Sequence, residues 1–263
     1  MNAEKPVLTD DEVVAALGHE PVLQRNFSFI SLLGLTFAIL NTWTALSVSM
    51  SLALPSGGPS AVIWGLVVSG VGNLALALSM AEFLSAFPTA GGQYHWAAIV
   101  APPRLKRICS WTTGWINMGG WIALAASGGL LSSELIVGLI ALFHPGYNPQ
   151  RWHQFLIYIA YNVLGFVVNA VATSLLPYTN QASLVWSLTG FAVISITLLS
   201  THKVDFARAR WVFGNVLNQT GWPDGIAWLL GLLQGSFSLT AYDAVTHMIE
   251  EIPNATVQGP RIM

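Results

Sequence analysis

Two clusters of polar residues interrupt stretches of sequence that are otherwise apolar. The first is Asn41, Thr42, Trp43 and Thr44, preceded by Ser31, Gly34 and Thr36. The second runs through Gln234, Gly235, Ser236, Ser238, Thr240, Tyr242 and Asp243. Asn, Ser and Thr supply hydrogen-bond donors and acceptors, Trp and Tyr supply ring faces that attract cations, and Asp supplies a charge. Four consecutive polar residues point to all sides of a helix, so residues 41–44 cannot all meet one neighbour, and a local unwinding there would resolve the conflict. The plainer account is hydrogen bonding to adjacent helices, worth about 0.6–2 kcal/mol for each bond. Asp243 would cost about 3 kcal/mol at the centre of an apolar helix, so it must face protein, water or a cation. It can equally serve as an acceptor for backbone N–H groups freed by a broken helix. Two further carboxylates lie in apolar stretches: Glu134, expected to be a buried ionisable group, and Glu82, expected near a helix end as an interfacial or structural one.

The elements that carry these residues are read from composition. Only 8% of residues are charged and 54% are hydrophobic, against about 25% charged in soluble domains. The mean hydropathy is +0.60. No Asp, Glu, Lys or Arg occurs in residues 26–81 or 152–202, and each run can hold two bilayer spans of about 20 residues. The net charge of -2 includes no basic block, which leaves a nucleic-acid partner without an electrostatic footprint. Cys109 is the single cysteine, which rules out a disulfide within this chain and a cysteine-based zinc site. The histidines, His19, His95, His144, His153, His202 and His247, have no ligand spacing, so neither a metal nor a cofactor is expected. Nucleophile elbow, zinc-protease and phosphate-loop motifs are all missing from the chain, and an enzyme is not expected.

Apolar windows separated by Pro and Gly predict an all-α polytopic membrane protein with about six transmembrane helices. They fall near 27–54, 61–84, 108–143, 152–176, 181–201 and 225–249. Residues 1–25 form an N-terminal tail, in which Asp10, Val13, Val14, Ala16 and Leu17 could make a short amphipathic helix. Residues 26–250 form the transmembrane domain, and 251–263 a loop after it. The segment 85–106 suits a loop or short helix at the membrane surface. With the N-terminus inside, Lys5, Arg25, Arg104, Lys106, Arg107 and Arg261 are cytoplasmic, against Arg151, Lys203, Arg208 and Arg210 outside. Positive charge therefore favours a cytoplasmic N-terminus.

Four motifs in order carry a resemblance. Residues 81–94 contain Ala81-Glu82, Ser85, Pro88, Gly91-Gly92 and Tyr94 at the end of the second window. Tyr242-Asp243-Ala244 is followed by His247, Glu250, Glu251 and, past Asn254, Gly259-Pro260-Arg261. The turn at 54–59 and the Ser110-Trp111-Thr112-Thr113-Gly114-Trp115 entry to the third window agree as well. Over roughly residues 20–263 the chain resembles the amino acid/polyamine/organocation superfamily of permeases, and within it the fungal choline and gamma-aminobutyrate group. The resemblance implies a leucine-transporter-like inverted-repeat fold, of which this chain would hold the first repeat plus helix 6. It also implies a solute held between unwound parts of helices 1 and 6, here residues 40–45 and 239–243. Many relatives carry glycine where this chain has Ala241, which narrows the backbone freedom that unwinding needs. The chain stops where a seventh helix is expected, and a shortened permease would lack one wall of its site.

On this reading the function is secondary transport of a small amine or amino acid such as choline or gamma-aminobutyrate. Asn41, Thr42, Trp43, Thr44, Trp115, Thr240, Tyr242 and Asp243 would bind the solute, with Trp43, Tyr242 and Trp115 offering cation-attracting faces. The partners are that solute, the lipid bilayer and, if uptake is driven, protons. The expected location is an integral position in the plasma membrane or an internal one. The alternative is a membrane fragment that does not transport, acting as a sensor or assembly partner.

Overall fold

The computed structural model describes residues 10–16, 28–201 and 206–263. Expectations placed on Lys5, Arg25 and Lys203 lie outside the described residues. A backbone that crosses lipid must satisfy its own polar groups, and apolar runs of this length therefore become helices. Five helices are long and apolar enough to cross a membrane, Phe29–Ser51, Gly58–Ala86, Lys106–Phe143, Arg151–Val171 and Leu176–Ser200. The protein is thus an all-α integral membrane protein. The described residues contain no β-strand, and one isolated bridge pairs Ser56 with Asn218.

In chain order, α1 covers Asp10–Ala16, α2 Phe29–Leu40, α3 Thr42–Ala53, α4 Gly58–Ala86, α5 Gly92–Val100, α6 Lys106–Phe143 and α7 Arg151–Val171. They are followed by α8 Leu176–Ser200, α9 Ala209–Gly214, α10 Asp224–Gly231, α11 Leu233–Ser238, α12 Ala244–His247 and α13 Ala255–Ile262. One departure from the sequence expectation stands out. The windows leave residues 177–180 as a turn between two spans, whereas Pro177 lies in the first turn of α8, where a proline's missing N–H has no helical partner to lose. The sixth window, 225–249, is divided among α10, α11 and α12, with a non-helical stretch from Leu239 to Asp243, where the resemblance implied unwinding.

The described chain forms two compact units, one holding the residues up to Gly92 together with Pro177–Met263, the other Gln93–Leu176. In the first unit, α4 and the α10–α11 segment approach through small residues. A Cβ on Gly231 would collide with the Ser56 carbonyl, and one on Gly235 would collide with the backbone of Gly65. Ala61, Gly65 and Ser69 are spaced four apart on α4, and Gly231 and Gly235 four apart opposite them. Small residues at this spacing let two membrane helices pack backbone to backbone. Ser69 Oγ and Ser236 Oγ, 2.9 Å apart, close the seam with a hydrogen bond. At one end of it Trp228 Nε1–H donates to Ser60 Oγ at 3.2 Å and Ser56 Oγ–H to the Ala227 carbonyl at 2.8 Å.

In the second unit, α6 has 38 residues and extends for about 57 Å at 1.5 Å per residue, well beyond the roughly 30 Å hydrocarbon layer. Its partner is α7, whose Tyr158 and Asn162 side chains lie against buried Gly129. The start of α7 is fixed by a reciprocal cap between Gln150 and His153, and Tyr147 Oη lies 2.6 Å from His153 Nδ1.

Candidate functional site

The first break lies where four consecutive polar residues left a helix nothing to bury against. Asn41 adopts φ 30° and ψ 48°, a left-handed conformation that ends α2 and starts α3. Its N–H donates back to the Phe37 carbonyl at 2.9 Å, and its carbonyl accepts from Thr44 and Ala45, each at 3.0 Å. One left-handed residue takes the chain out of the i to i−4 ladder and leaves backbone groups of the adjoining turns free for other partners. Asn is among the few non-glycine residues that visit this region readily.

Side chains then hold the break. Thr44 Oγ1–H donates to Asn41 Oδ1 at 3.0 Å. Trp43 Nε1–H donates to Ser187 Oγ at 3.1 Å, and the Ser187 hydroxyl reaches Asn41 Oδ1 at 3.4 Å. A Cβ on Gly190 would lie 3.4 Å from Trp43 Cζ2. Ser187 and Gly190 of α8 thus form a seat for the indole. Asn41, Thr42, Trp43 and Thr44 are each half-buried.

The second break spans Leu239 to Asp243, and here Ala241 takes φ 76°. The helix opens within the 239–243 stretch that the resemblance implied, although alanine narrows the backbone freedom that unwinding needs. A left-handed alanine costs about 1–2 kcal/mol, so its surroundings must impose it. Before the break, the glycine seam fixes α11 against α4. Gln234, 6% exposed, adds a bond from its Nε2 to the Leu46 carbonyl of α3 at 2.7 Å. Within the break Thr240 is exposed and its hydroxyl donates to the Phe237 carbonyl at 2.9 Å, while Tyr242 and Asp243 are half-buried. An Asp243 carboxylate oxygen stands 3.9 Å from His247 Nε2.

The two breaks adjoin. α11, before the second break, packs on α3, after the first, while α12, after the second, packs on α2, before the first. The two interrupted helices therefore cross near their gaps. Trp115 belongs to the second unit, where it is 55% exposed and its ring lies 6.0 Å from that of Trp111. Glu82 and Glu134 are exposed on the surface of the chain instead of enclosed within it, and Glu134 Oε1 accepts from Gln154 Nε2 at 3.5 Å. Exposure at Glu82 agrees with the interfacial position expected of it, whereas Glu134, expected to be buried, is not enclosed by the described residues. Ser187 and Gln234 were not singled out as site residues. A lone Ser three residues before a Gly in an apolar helix, and a Gln at the centre of one, were the signals available.

Two interrupted apolar helices packed on each other are part of an all-α integral membrane protein. The chain belongs to the amino acid permease family, which it matches over residues 27–259. A protein of Macrophomina phaseolina, provisionally described as an amino acid/polyamine transporter, is 37% identical over 88% of this chain and 51% of its own length. The choline transporter of Saccharomyces cerevisiae is 34% identical over 92% of this chain and 43% of its own. An amino-acid permease of Arabidopsis thaliana is 32% identical over 97% and 51%. The chain spans about half the length of the curated relatives it matches. No solved structure matches it significantly.

Proposed function

We propose that this chain supplies the solute-binding half of a secondary transporter for a small amine or amino acid, and that the solute sits between the two breaks. The single observation that carries the reading is the crossing of two interrupted helices at Asn41 and at 239–243, because half-helix ends near the bilayer midplane offer free N–H and C=O groups to a charged solute. Trp43 and Tyr242 add ring faces suited to a cationic amine, and Asp243 a countercharge. The relatives named for choline and for amino acids support a solute of this class. An inverted-repeat fold, a cytoplasmic N-terminus, a plasma-membrane location and proton drive belong to the same reading.

Uptake of labelled choline, gamma-aminobutyrate and several amino acids tests it in permease-deficient cells. This chain and a version extended to the length of its relatives are compared. Trp43→Ala and Tyr242→Ala should each weaken affinity by about 0.5–2 kcal/mol, roughly two- to thirty-fold, for a cationic solute. Tyr158→Ala, which removes a ring packed on Gly129 in the other unit, should reduce affinity far less once surface expression is matched. Unchanged uptake of every solute by both site mutants would place the cavity elsewhere.

A further inference from the structure

Residues 88–92 and 243–250, two separate motifs in the sequence, meet at one residue. The Ala90 N–H donates to Glu250 Oε1 at 2.8 Å, and the Ala90 carbonyl lies 3.1 Å from His247 Nδ1. A carbonyl can only accept, so that contact places the proton on Nδ1 and leaves Nε2 facing Asp243, at the edge of the helix break. Pro88 and Thr89 are fully buried. Gly92, at φ +49°, approaches so closely that a Cβ there would lie 2.8 Å from Thr246 Oγ1. The segment that makes these contacts is itself flanked by two left-handed residues, Ala241 at φ 76° and Asn254 at φ 51°. Such a segment has a backbone joint at each end, is packed through fully buried Val245, Thr246 and Ile249, and meets the 88–92 turn through Glu250, His247 and the close approach of Gly92 to Thr246.

We propose that Glu250 and His247 form a latch on Ala90 that opens and recloses as the segment after the second break moves during transport. Its role rests on the transport reading above, whereas its existence as a separable contact does not. The two are tested apart.

Hydrogen exchange on the purified chain in lipid nanodiscs reads the latch without solute. Glu250→Ala should speed exchange of the Ala90 amide by about tenfold or more, with amides near Gly65 in α4 unchanged, because a local opening has its own free energy. Glu250→Gln keeps an acceptor oxygen and should stay within about threefold of the parent. An Ala90 amide indifferent to Glu250→Ala overturns the proposal.

The role is read by locking the contact. A Cβ on Gly92 would lie 3.3 Å from Thr246 Cβ, close to the roughly 3.8 Å of a disulfide. Gly92→Cys with Thr246→Cys, in a Cys109→Ser background of the extended protein, should take up choline or gamma-aminobutyrate when reduced and stop when oxidised. Equal uptake in both states, with the disulfide confirmed by mass spectrometry, shows a static clamp and overturns the proposal. If the cysteine pair does not reach the membrane, Glu250→Ala against Glu250→Gln decides. A latch predicts altered maximal uptake with KM preserved in the former only, and parent-like kinetics in both overturns it. Absence of uptake in the parent counts against the transport reading instead, and the exchange measurement alone then upholds or overturns the latch.

Discussion

Asn41 and Ala241 share a left-handed backbone, φ 30° and φ 76°, and each marks the gap of one interrupted helix. The two positions differ in how their side chains bear it. Asn tolerates the region and alanine does not, so the strain is concentrated at Ala241. Ala241→Gly should therefore raise the thermal midpoint in detergent, with a net gain of about 1 kcal/mol after the added freedom of the unfolded glycine is subtracted. Asn41→Gly keeps the left-handed turn but removes the Oδ1 that accepts from Thr44 and Ser187 and should cost about 0.5–1.5 kcal/mol, and Asn41→Val, which loses the turn as well, should cost more. A lower midpoint for Ala241→Gly would mean that the left-handed turn is not what limits this segment.

The seam between α4 and α11 predicts a sharp contrast among glycines. Gly235→Ala drives a methyl into the Gly65 backbone, whereas a Cβ on Gly72 of the same α4 helix meets nothing within 4 Å. Backbone cannot yield as a flexible side chain can, so Gly235→Ala should cost about 1–3 kcal/mol or prevent folding, and Gly72→Ala should not. Size-exclusion profiles after graded heating of the two variants decide it.

Ser187 is predicted to act on solute only through Trp43 and Asn41. Ser187→Ala removes the acceptor of the indole N–H and should lower affinity by about 0.5–1.5 kcal/mol with little loss of surface expression. Ser187→Thr retains the hydroxyl and should recover most of that loss. Uptake measured over a range of choline concentrations separates affinity from maximal rate. Equal affinity in all three proteins would leave the seat of Trp43 without functional consequence.

The N-glycosylation sequons Asn218-Gln219-Thr220 and Asn254-Ala255-Thr256 report topology. With a cytoplasmic N-terminus, Asn218 lies outside and Asn254 inside. Asn218 Nδ2 donates to the Trp222 carbonyl and to Asp224 Oδ1, and a sugar on that nitrogen would leave one N–H for the two acceptors. Expression in a glycosylating host should give a glycosidase-sensitive mass shift that Asn218→Gln abolishes. Sugar found on Asn254 would invert the topology.

The spans and the first break were legible because their causes are local: charge-free runs, helix-stopping Pro and Gly, and four polar residues in a row. The second break was legible as a polar tract and, at 239–243, through the resemblance. What opens the helix at Ala241 is held in place from outside, by the glycine seam before it and by the contacts of His247 and Glu250 after it, and neither shows in the residue's own preference. The window boundary at 176–181 left Pro177 between spans for a related reason, since a proline looks the same in a loop and in a first helical turn. Glu134 shows that depth within an apolar run does not determine which way a side chain faces.

Ser69 and Ser236 lie 167 residues apart along the chain, and that interval is also a delay during synthesis. At about 5–20 residues per second, α4 would wait roughly 8–33 seconds before α11 is made. In that time its face of Ala61, Gly65 and Ser69 has lipid, another helix or the insertion machinery for company. A face of small residues and one hydroxyl is suited to such waiting, because it offers little to a mistaken partner until two glycines arrive at matching spacing.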